Sequence, residues 1–403
     1  MRRVAVLSMH TSPLAQPGVG DGGGMNVYVR ELVSALANSG VQCTTYTREW
    51  KAGLAPTVEV EPNHRVVHIP SGAFDLPKDA LLGVVDEFTR GVADHINNSG
   101  GTDLLHANYW LSGLAGHKLK HELNLPLITT FHTFSRVKSL GGDPESAARE
   151  KAELEIIGCT DAICVSCTEE KTQFETLYGN SPGAIEVVAP GVERAFFSPG
   201  DRRGARRALG LGSGPMLLFV GRIQPLKGLD VAVRALSELN RPDAQLIVVG
   251  GVSGVSGEPE LDRVKSIIDE CDLGGRVHFY DSQPHHLLST FYRAADVVLV
   301  PSRSESFGLV ALEAAACGVP VVATAVGGLL SLIEHGRTGF MVPQRDAIGF
   351  ARYTAQLLDN PVLALSMGTA AAQRAKQYSW KSAALRVRKV YSELSVRDLV
   401  ACS

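Results

Sequence analysis

The chain has 403 residues, 45% hydrophobic and 20% charged, with a net charge of −3 at pH 7. Its length exceeds one ordinary α/β domain and favours two, and its charge gives no global reason to expect a nucleic-acid partner or an anionic membrane surface. No apolar run approaches a membrane span, and Val4–Leu7 after Met1-Arg2-Arg3 is too short for a signal-peptide core, so the expected location is the cytoplasm.

Short runs rich in Val and Ile alternate with helix-length segments. In the first half they are Val4–Ser8, Gln42–Thr47, Arg65–Ile69, Leu104–Ala107, Pro126–Phe131, Ala162–Ser166 and Ile185–Val188. Breakers then accumulate at Pro190-Gly191, Ser198-Pro199-Gly200 and Gly212-Ser213-Gly214-Pro215, around a short, basic, solvated helix at Asp201–Leu209. The pattern resumes with Met216–Val220, Gln245–Val249, Arg276–Tyr280, Val297–Pro301, Val321–Ala323 and Gly339–Val342. Near-continuous apolar strands separated by helices predict parallel sheets covered on both faces. The expected class is α/β, with two Rossmann-like domains facing across a cleft at the carboxyl ends of their strands.

Three features suit a diphosphate. The first is Gly20-Asp21-Gly22-Gly23-Gly24-Met25-Asn26, after the first strand and before a helix predicted near Val27. Consecutive glycines let backbone amides approach an anion, although a mere tight turn would also explain them. The second is Gly221-Arg222-Ile223-Gln224-Pro225-Leu226-Lys227-Gly228, directly after a strand. Arginine can grip a phosphate bidentately and lysine adds a point charge. The third runs from Pro301 through Glu305 and Phe307-Gly308-Leu309 to Glu313, with a helix beginning near Phe307 or Gly308. Glu313 lies in an otherwise apolar helix, where a bare carboxylate is costly. Either a ribose diol or an ion pair within the core would offset that cost.

The seven cysteines are Cys43, Cys159, Cys164, Cys167, Cys271, Cys317 and Cys402. An odd, scattered set in a cytosolic chain predicts reduced thiols. Cys164-x-x-Cys167 reads as part of a buried strand, without a second pair or a histidine cluster. His117–Leu123 is mildly basic and amphipathic and reads as a solvated helix face rather than a membrane-docking one. His285-His286 read as solvated loop residues before a helix.

Glu305-x7-Glu313, Gly221-Arg222 with Lys227-Gly228, and the first glycine-rich loop together resemble the retaining glycosyltransferases of family four, which have the GT-B fold. The resemblance covers nearly the whole chain. It implies that Tyr378-Ser379-Trp380 leads into a last helix returning to the first domain. The expected domains are 1–193 plus 381–403, binding acceptor, and 194–380, binding nucleotide sugar. Carried onto matching positions, Arg222 and Lys227 neutralise the leaving diphosphate and Glu313 holds the ribose. Glu305 meets the transferred sugar with the amides of Phe307, Gly308 and Leu309. Gly23, Gly24 and Gln283 complete the donor set, the base lying near Tyr280–Gln283. His132 is implied to be catalytic through its carbonyl and ring.

A narrower resemblance lies in His10 through Tyr28, His106-Ala107-Asn108-Tyr109 through Gly113, and Phe131-His132-Thr133. These are similar to the branch of the family that moves N-acetylglucosamine from UDP-GlcNAc to 1L-myo-inositol 1-phosphate in mycothiol biosynthesis. The implied acceptor residues are His10, Asn26, Lys78, Tyr109, Thr133 and Arg149, with Lys78 and Arg149 in loop-like stretches. The Leu140–Glu145 segment and Gln283 depart from that branch, which bears on the acceptor more than on the donor.

Neither an acid–base constellation nor a metal cluster stands out in the sequence. That suits a front-face reaction in which the departing diphosphate acts as base. No carboxylate pair is placed to bridge a metal to the diphosphate, so no cofactor is expected, Mg²⁺ being at most stimulatory. The expected partners are a UDP-sugar and a small phosphorylated acceptor, without nucleic acid or membrane, and the resemblance implies a homodimer. Other readings are a transferase acting on fructose 6-phosphate, a natural product or a glycolipid, a nucleotide-sugar-binding protein without turnover, and a dinucleotide oxidoreductase. The last lacks the G-x-G-x-x-G spacing.

Overall fold

The computed structural model describes residues 2–18, 22–142, 145–254 and 257–402. The chain divides into two compact units. One comprises Met1–Ala15, Gly24–Pro190 and Trp380–Ser403, and the other Gln16–Gly23 and Gly191–Ser379.

The first unit holds β1 (Arg3–Leu7), β2 (Gln42–Arg48), β3 (Thr57–Glu61), β4 (His64–Ile69), β5 (Leu104–Asn108), β6 (Leu127–Thr130), β7 (Ala162–Val165) and β8 (Ala184–Val187). Their order is β3-β4-β2-β1-β5-β6-β7-β8. Every neighbouring pair is parallel except the β3–β4 hairpin. The apolar-run reading of the sequence omits β3, because Thr57-Val58-Glu59-Val60-Glu61 alternates polar and apolar residues and none of them is fully buried at the sheet edge. Asn63 makes its turn with φ 67°. Central strands β5 and β6 are buried at every residue, as a sheet covered on both faces requires.

The second unit holds β9 (Met216–Val220), β10 (Gln245–Val249), β11 (Val277–Tyr280), β12 (Val297–Val300), β13 (Val321–Thr324) and β14 (Gly339–Val342). They lie in the order β11-β10-β9-β12-β13-β14, parallel throughout. Both units are therefore Rossmann-like, and each packs its own core: Leu7, Phe88, Leu105 and Ile163 in the first, Leu217, Val248, Leu299 and Phe350 in the second.

The last helix, Trp380–Leu394, belongs to the first unit. Tyr391 Oη lies 2.8 Å from His106 Nδ1 on β5, and the Trp380 ring meets Tyr28 edge-on at 5.8 Å. Sequence reading placed Gln16–Gly23 in the first domain, but the segment clusters with the second unit. Gln16 Nε2 donates to Ser282 O at 2.9 Å, and Ser282 Oγ donates to Gly18 O.

The thiols also depart from expectation. Cys159 and Cys402 are bonded as a disulfide, since the chain beyond the last helix returns to the residues before β7. Val400 N donates to Asp161 Oδ1 there at 2.6 Å. Among the described residues no helix is long and apolar enough to cross a membrane.

Candidate active site

The side chains singled out from the sequence gather at the carboxyl ends of strands, where crossover loops leave each sheet. In the second unit, β9 delivers Gly221-Arg222. Arg222 Nη1 donates to Ser253 Oγ at 3.3 Å, and Gln224 Nε2 donates to Ser253 O at 3.1 Å, tying the loops after β9 and β10 together. The backbone of Gly23 lies against the guanidinium: a Cβ there would stand 3.4 Å from Arg222 Nε. Gly24 opens the helix Gly24–Asn38 of the first unit, so the glycine run spans the unit boundary, and Gly20 and Asp21 lie outside the described residues.

Lys227 Nζ donates to Glu305 Oε2 at 2.7 Å, joining the loop after β9 to the loop after β12. Their side chains are 25% and 19% exposed, so both remain open to a ligand. Gly228 permits this approach. It has φ 75°, and a Cβ would meet Pro301 O at 2.2 Å. Gly328 N donates to Glu305 O at 2.9 Å, and a Cβ on neighbouring Gly327 would overlap that same carbonyl at 2.0 Å. Gly308 is the N-cap of the helix Leu309–Ala316 and carries no side-chain cap, leaving first-turn amides at this loop. Phe307 is buried against Tyr378, with ring centroids 5.7 Å apart.

Glu313 is 6% exposed in that helix. Tyr292 Oη donates to its Oε2 at 2.7 Å, and His285 Nε2 lies 3.8 Å from Oε1. Burial pushes its carboxyl up to about 7, against the opposing Tyr292 hydrogen bond. The cost foreseen for this carboxylate is thus met partly by a hydroxyl and partly by a raised proton affinity. His285, expected in a solvated loop, instead opens the helix His285–Ala294 and faces Glu313. Gln283 is exposed and donates to Asp281 O at 2.9 Å, apart from the Lys227–Glu305 pair.

In the first unit, two non-glycine residues take positive φ just past adjacent strands: Tyr109 (φ 76°) after β5 and His132 (φ 64°) after β6. Such strain persists only where the surroundings impose it, and it clusters at functional sites. His132 Nε2 lies 2.9 Å from Asn108 Oδ1, and the Tyr28 ring meets it edge-on at 4.8 Å. Burial pushes His132 down to about 3, so its ring is neutral at ordinary working pH.

The Tyr109 ring lies tilted against His10 at 4.4 Å between centroids, and Lys78 Nζ sits 5.4 Å from the Tyr109 centroid. Arg149 meets the same residue, donating from Nη1 to Tyr109 Oη at 3.2 Å. Its Nη2 donates to Thr133 O at 2.8 Å and Thr133 Oγ1 at 3.0 Å. Lys78, Tyr109, Thr133 and Arg149 are therefore brought together with His10. Asn26 is buried nearby in sequence to the glycine run and fastens the loop after β1, donating to Thr11 Oγ1 at 2.7 Å and Ser12 O at 2.6 Å.

The loop-like reading of Lys78 and Arg149 is corrected. Lys78 opens a 3₁₀ turn, Lys78–Val84, and Arg149 lies in the helix Ala147–Ile157, whose N-cap is Ser146. Arg149 is 1% exposed and pairs with Glu153 and Glu145, each at 2.8 Å. Lys138 shares Glu145. Sequence reasoning missed Glu145, Glu153, Lys138, Asn108, Ser253, Tyr292 and the Gly327-Gly328 pair. Only the helical i,i+4 spacings of Glu145, Arg149 and Glu153 and the Gly-Gly pair soon after β13 offered a signal.

Residues 22–196 match the model described as Glycosyltransferase Family 4, and residues 201–374 match Glycosyl transferases group 1. The chain belongs to the family-four glycosyltransferases, and its two Rossmann-like units are those of the GT-B fold. It is 42% identical to D-inositol 3-phosphate glycosyltransferase 2 of Catenulispora acidiphila, over 99% of this chain and 96% of that protein. It is 41% identical to D-inositol 3-phosphate glycosyltransferase of Kineococcus radiotolerans, over 100% of this chain and 97% of that one. Among solved structures, sucrose-phosphate synthase from Thermosynechococcus elongatus superposes with a TM-score of 0.92 at 31% identity, covering 98% of this chain and 99% of that one.

Proposed function

We propose that this glycosyltransferase moves N-acetylglucosamine from UDP-GlcNAc to 1L-myo-inositol 1-phosphate (1D-myo-inositol 3-phosphate in the opposite numbering), with retention at the anomeric carbon, in mycothiol biosynthesis. The observation that carries this reading is the grouping of Lys78, Tyr109, Thr133 and Arg149 with His10 at the ends of β5 and β6. Two cations, a phenol and a hydroxyl suit a monophosphate on a small polyol. The names of the relatives, at about 40% identity along the full chain, support the same acceptor.

Arg222, Lys227 and the amides after Gly308 serve the donor diphosphate, Glu305 the sugar hydroxyls and Glu313 the ribose. Gly23, Gly24 and Gln283 remain assigned to the donor, and Asn26 to the acceptor, by likeness to the family. In the reaction the bond from the anomeric carbon to the β-phosphate oxygen breaks, and the bond to the acceptor oxygen forms on the same face. The acceptor hydroxyl proton passes to the departing phosphate. The protein contributes position and charge. His132, neutral and locked by Asn108, presents its carbonyl and ring to the sugar rather than acting as a base.

Arg222 and Lys227 stand in for a metal at the diphosphate, so turnover persists in EDTA and Mg²⁺ stimulates it modestly at most. Activity that vanishes in EDTA and returns with Mg²⁺ would refute this. The proposed protein acts in the cytoplasm, as a homodimer.

The second reading changes only the acceptor. Fructose 6-phosphate is favoured by the likeness to sucrose-phosphate synthase. UDP release from UDP-GlcNAc, measured with inositol phosphate, plain inositol or fructose 6-phosphate, separates the two. Stimulation by inositol phosphate alone is expected. Stimulation by fructose 6-phosphate alone overturns the first reading and supports the second.

A further inference from the structure

A second group of chemically capable side chains lies in the first unit at the amino-terminal side of β7, away from the strand ends described above. His117 and His121 are one turn apart on the helix Trp110–Leu123, so they project from the same face, with ring centroids 5.1 Å apart. Cys159 comes from the turn before β7 and Cys402 from the segment beyond the last helix. His121 Nε2 lies 3.3 Å from Cys159 Sγ. One ligand atom from each of the four residues falls within 4.8 Å of all the others.

We propose that, with the two cysteines reduced, His117, His121, Cys159 and Cys402 bind one Zn²⁺ tetrahedrally and clamp the chain's last segment onto the first unit. Two thiolates and two imidazoles are a zinc donor set, and their charges sum to neutrality with the ion. Zn–N near 2.0 Å and Zn–S near 2.3 Å give tetrahedral edges of about 3.3 Å between nitrogens, about 3.5 Å between nitrogen and sulfur and about 3.8 Å between sulfurs. The 3.3 Å His121–Cys159 contact therefore lies within about 0.2 Å of its edge, and side-chain rotations in the reduced protein reach the others. His117 Nδ1 lies 3.1 Å from Glu155 Oε1 without hydrogen-bond geometry, and a small ring rotation would complete the carboxylate–histidine arrangement that orients a ligating imidazole and leaves Nε2 for the metal. The surroundings are anchored independently. Lys120, 3% exposed on the same helix, donates to Cys159 O at 2.7 Å and to Asp161 Oδ1 at 2.8 Å, and Asp161 Oδ1 also accepts from Val400 N.

A disulfide alone gives no reason for two histidines and a supporting glutamate to converge on its sulfurs. The bonded and metal-bound states are alternatives for the same pair. Opening the disulfide takes two electrons and two protons, both supplied by a dithiol that is left oxidised. Zinc binding then releases the two thiol protons. Cys164 and Cys167 are not part of the group: both are buried, and Cys167 Sγ caps the helix Thr168–Tyr178.

The test uses the full chain, reduced with dithiothreitol, stripped with a chelator, desalted without air and titrated with Co²⁺. The expected result is one Co²⁺ per chain, with the intense visible bands of tetrahedral cobalt and a thiolate charge-transfer band, displaced by one equivalent of Zn²⁺. Cys402→Ser and His121→Asn each weaken binding at least tenfold and abolish the rise in melting temperature that Zn²⁺ gives the reduced protein. Cys271→Ser, in the second unit, changes nothing. His121 is exposed and Cys402 lies beyond the last helix, so both variants should fold, which circular dichroism verifies. A reduced chain that takes up no cobalt, a pale octahedral spectrum, or uptake indifferent to both variants overturns the proposal and leaves a disulfide only.

Discussion

The two units treat their cations differently. In the first, Arg149 is enclosed: two carboxylates, a phenol, a carbonyl and a hydroxyl surround a guanidinium 1% exposed. The nearby backbone is forced into positive φ at Tyr109 and His132. In the second, Lys227 has Glu305 beside it and keeps a quarter of its side chain in solvent, on a backbone that glycine lets turn. A cation with partners on every side serves first to hold its neighbours. One with an open flank can take a phosphate. Chemistry should therefore be most sensitive in the second unit and folding most sensitive in the first.

The largest effect is expected from Lys227→Ala, which should lower turnover on the order of a hundredfold, as loss of one preorganised charge-stabilising donor does. Its melting temperature should stay near wild type, because a partly exposed ion pair contributes little to stability. Near-normal turnover would remove the contrast between the units. Next comes Arg149→Met, which leaves the buried Glu153 carboxylate without its cation, held by Ser135 and Tyr178, and should cost about 3 kcal/mol in urea unfolding. Acceptor KM should rise with it, since Arg149 also belongs to the proposed phosphate group; unchanged stability and unchanged KM would remove Arg149 from both roles.

His132→Ala sharpens the comparison from the strained backbone. Turnover should fall by up to about a hundredfold, as misplacing a positioned group does. Because burial holds the wild-type ring down to about 3, that fall should be uniform from pH 6 to 8. A loss confined to one side of that range would mean that the ring titrates and acts as a base.

The smallest effect concerns Glu313. Its carboxyl is raised to about 7, so the fold favours the protonated form. The associated stability is fully present below the unfolded carboxyl range and is lost as pH rises through about 7. Glu313→Gln, which cannot ionise, should lose less melting temperature than wild type between pH 5 and 8, by a few degrees. Parallel melting curves would show that donor-free Glu313 is already ionised at neutral pH.

Much of the architecture was legible because buried parallel strands announce themselves as short Val/Ile runs. Thirteen such runs become strands, and β3 escaped because an exposed edge strand needs no apolar run. The second unit's residues were equally readable, since Arg222, Lys227 and Glu305 stand in the loops after β9 and β12, although the Lys227–Glu305 pairing itself came only from the structure. The first unit's group was readable only in part. Its residues come from the end of β5, the end of β6, a 3₁₀ turn and a separate helix, and the carboxylates that hold Arg149 carry no signal beyond their i,i+4 spacing.

The sequence by itself determined the α/β class, the division into two strand-rich halves and the glycine-rich loops that follow the strands, since periodicity, breakers and glycine spacing are local properties. Only the tertiary structure decided that Gln16–Gly23 clusters with the second unit, that Tyr292 answers Glu313, and that Cys402 meets Cys159 beside two histidines. Those outcomes depend on where the chain returns after tens or hundreds of residues. Such long-range closure is set by the packing of whole sheets and helices, and no local spacing encodes it.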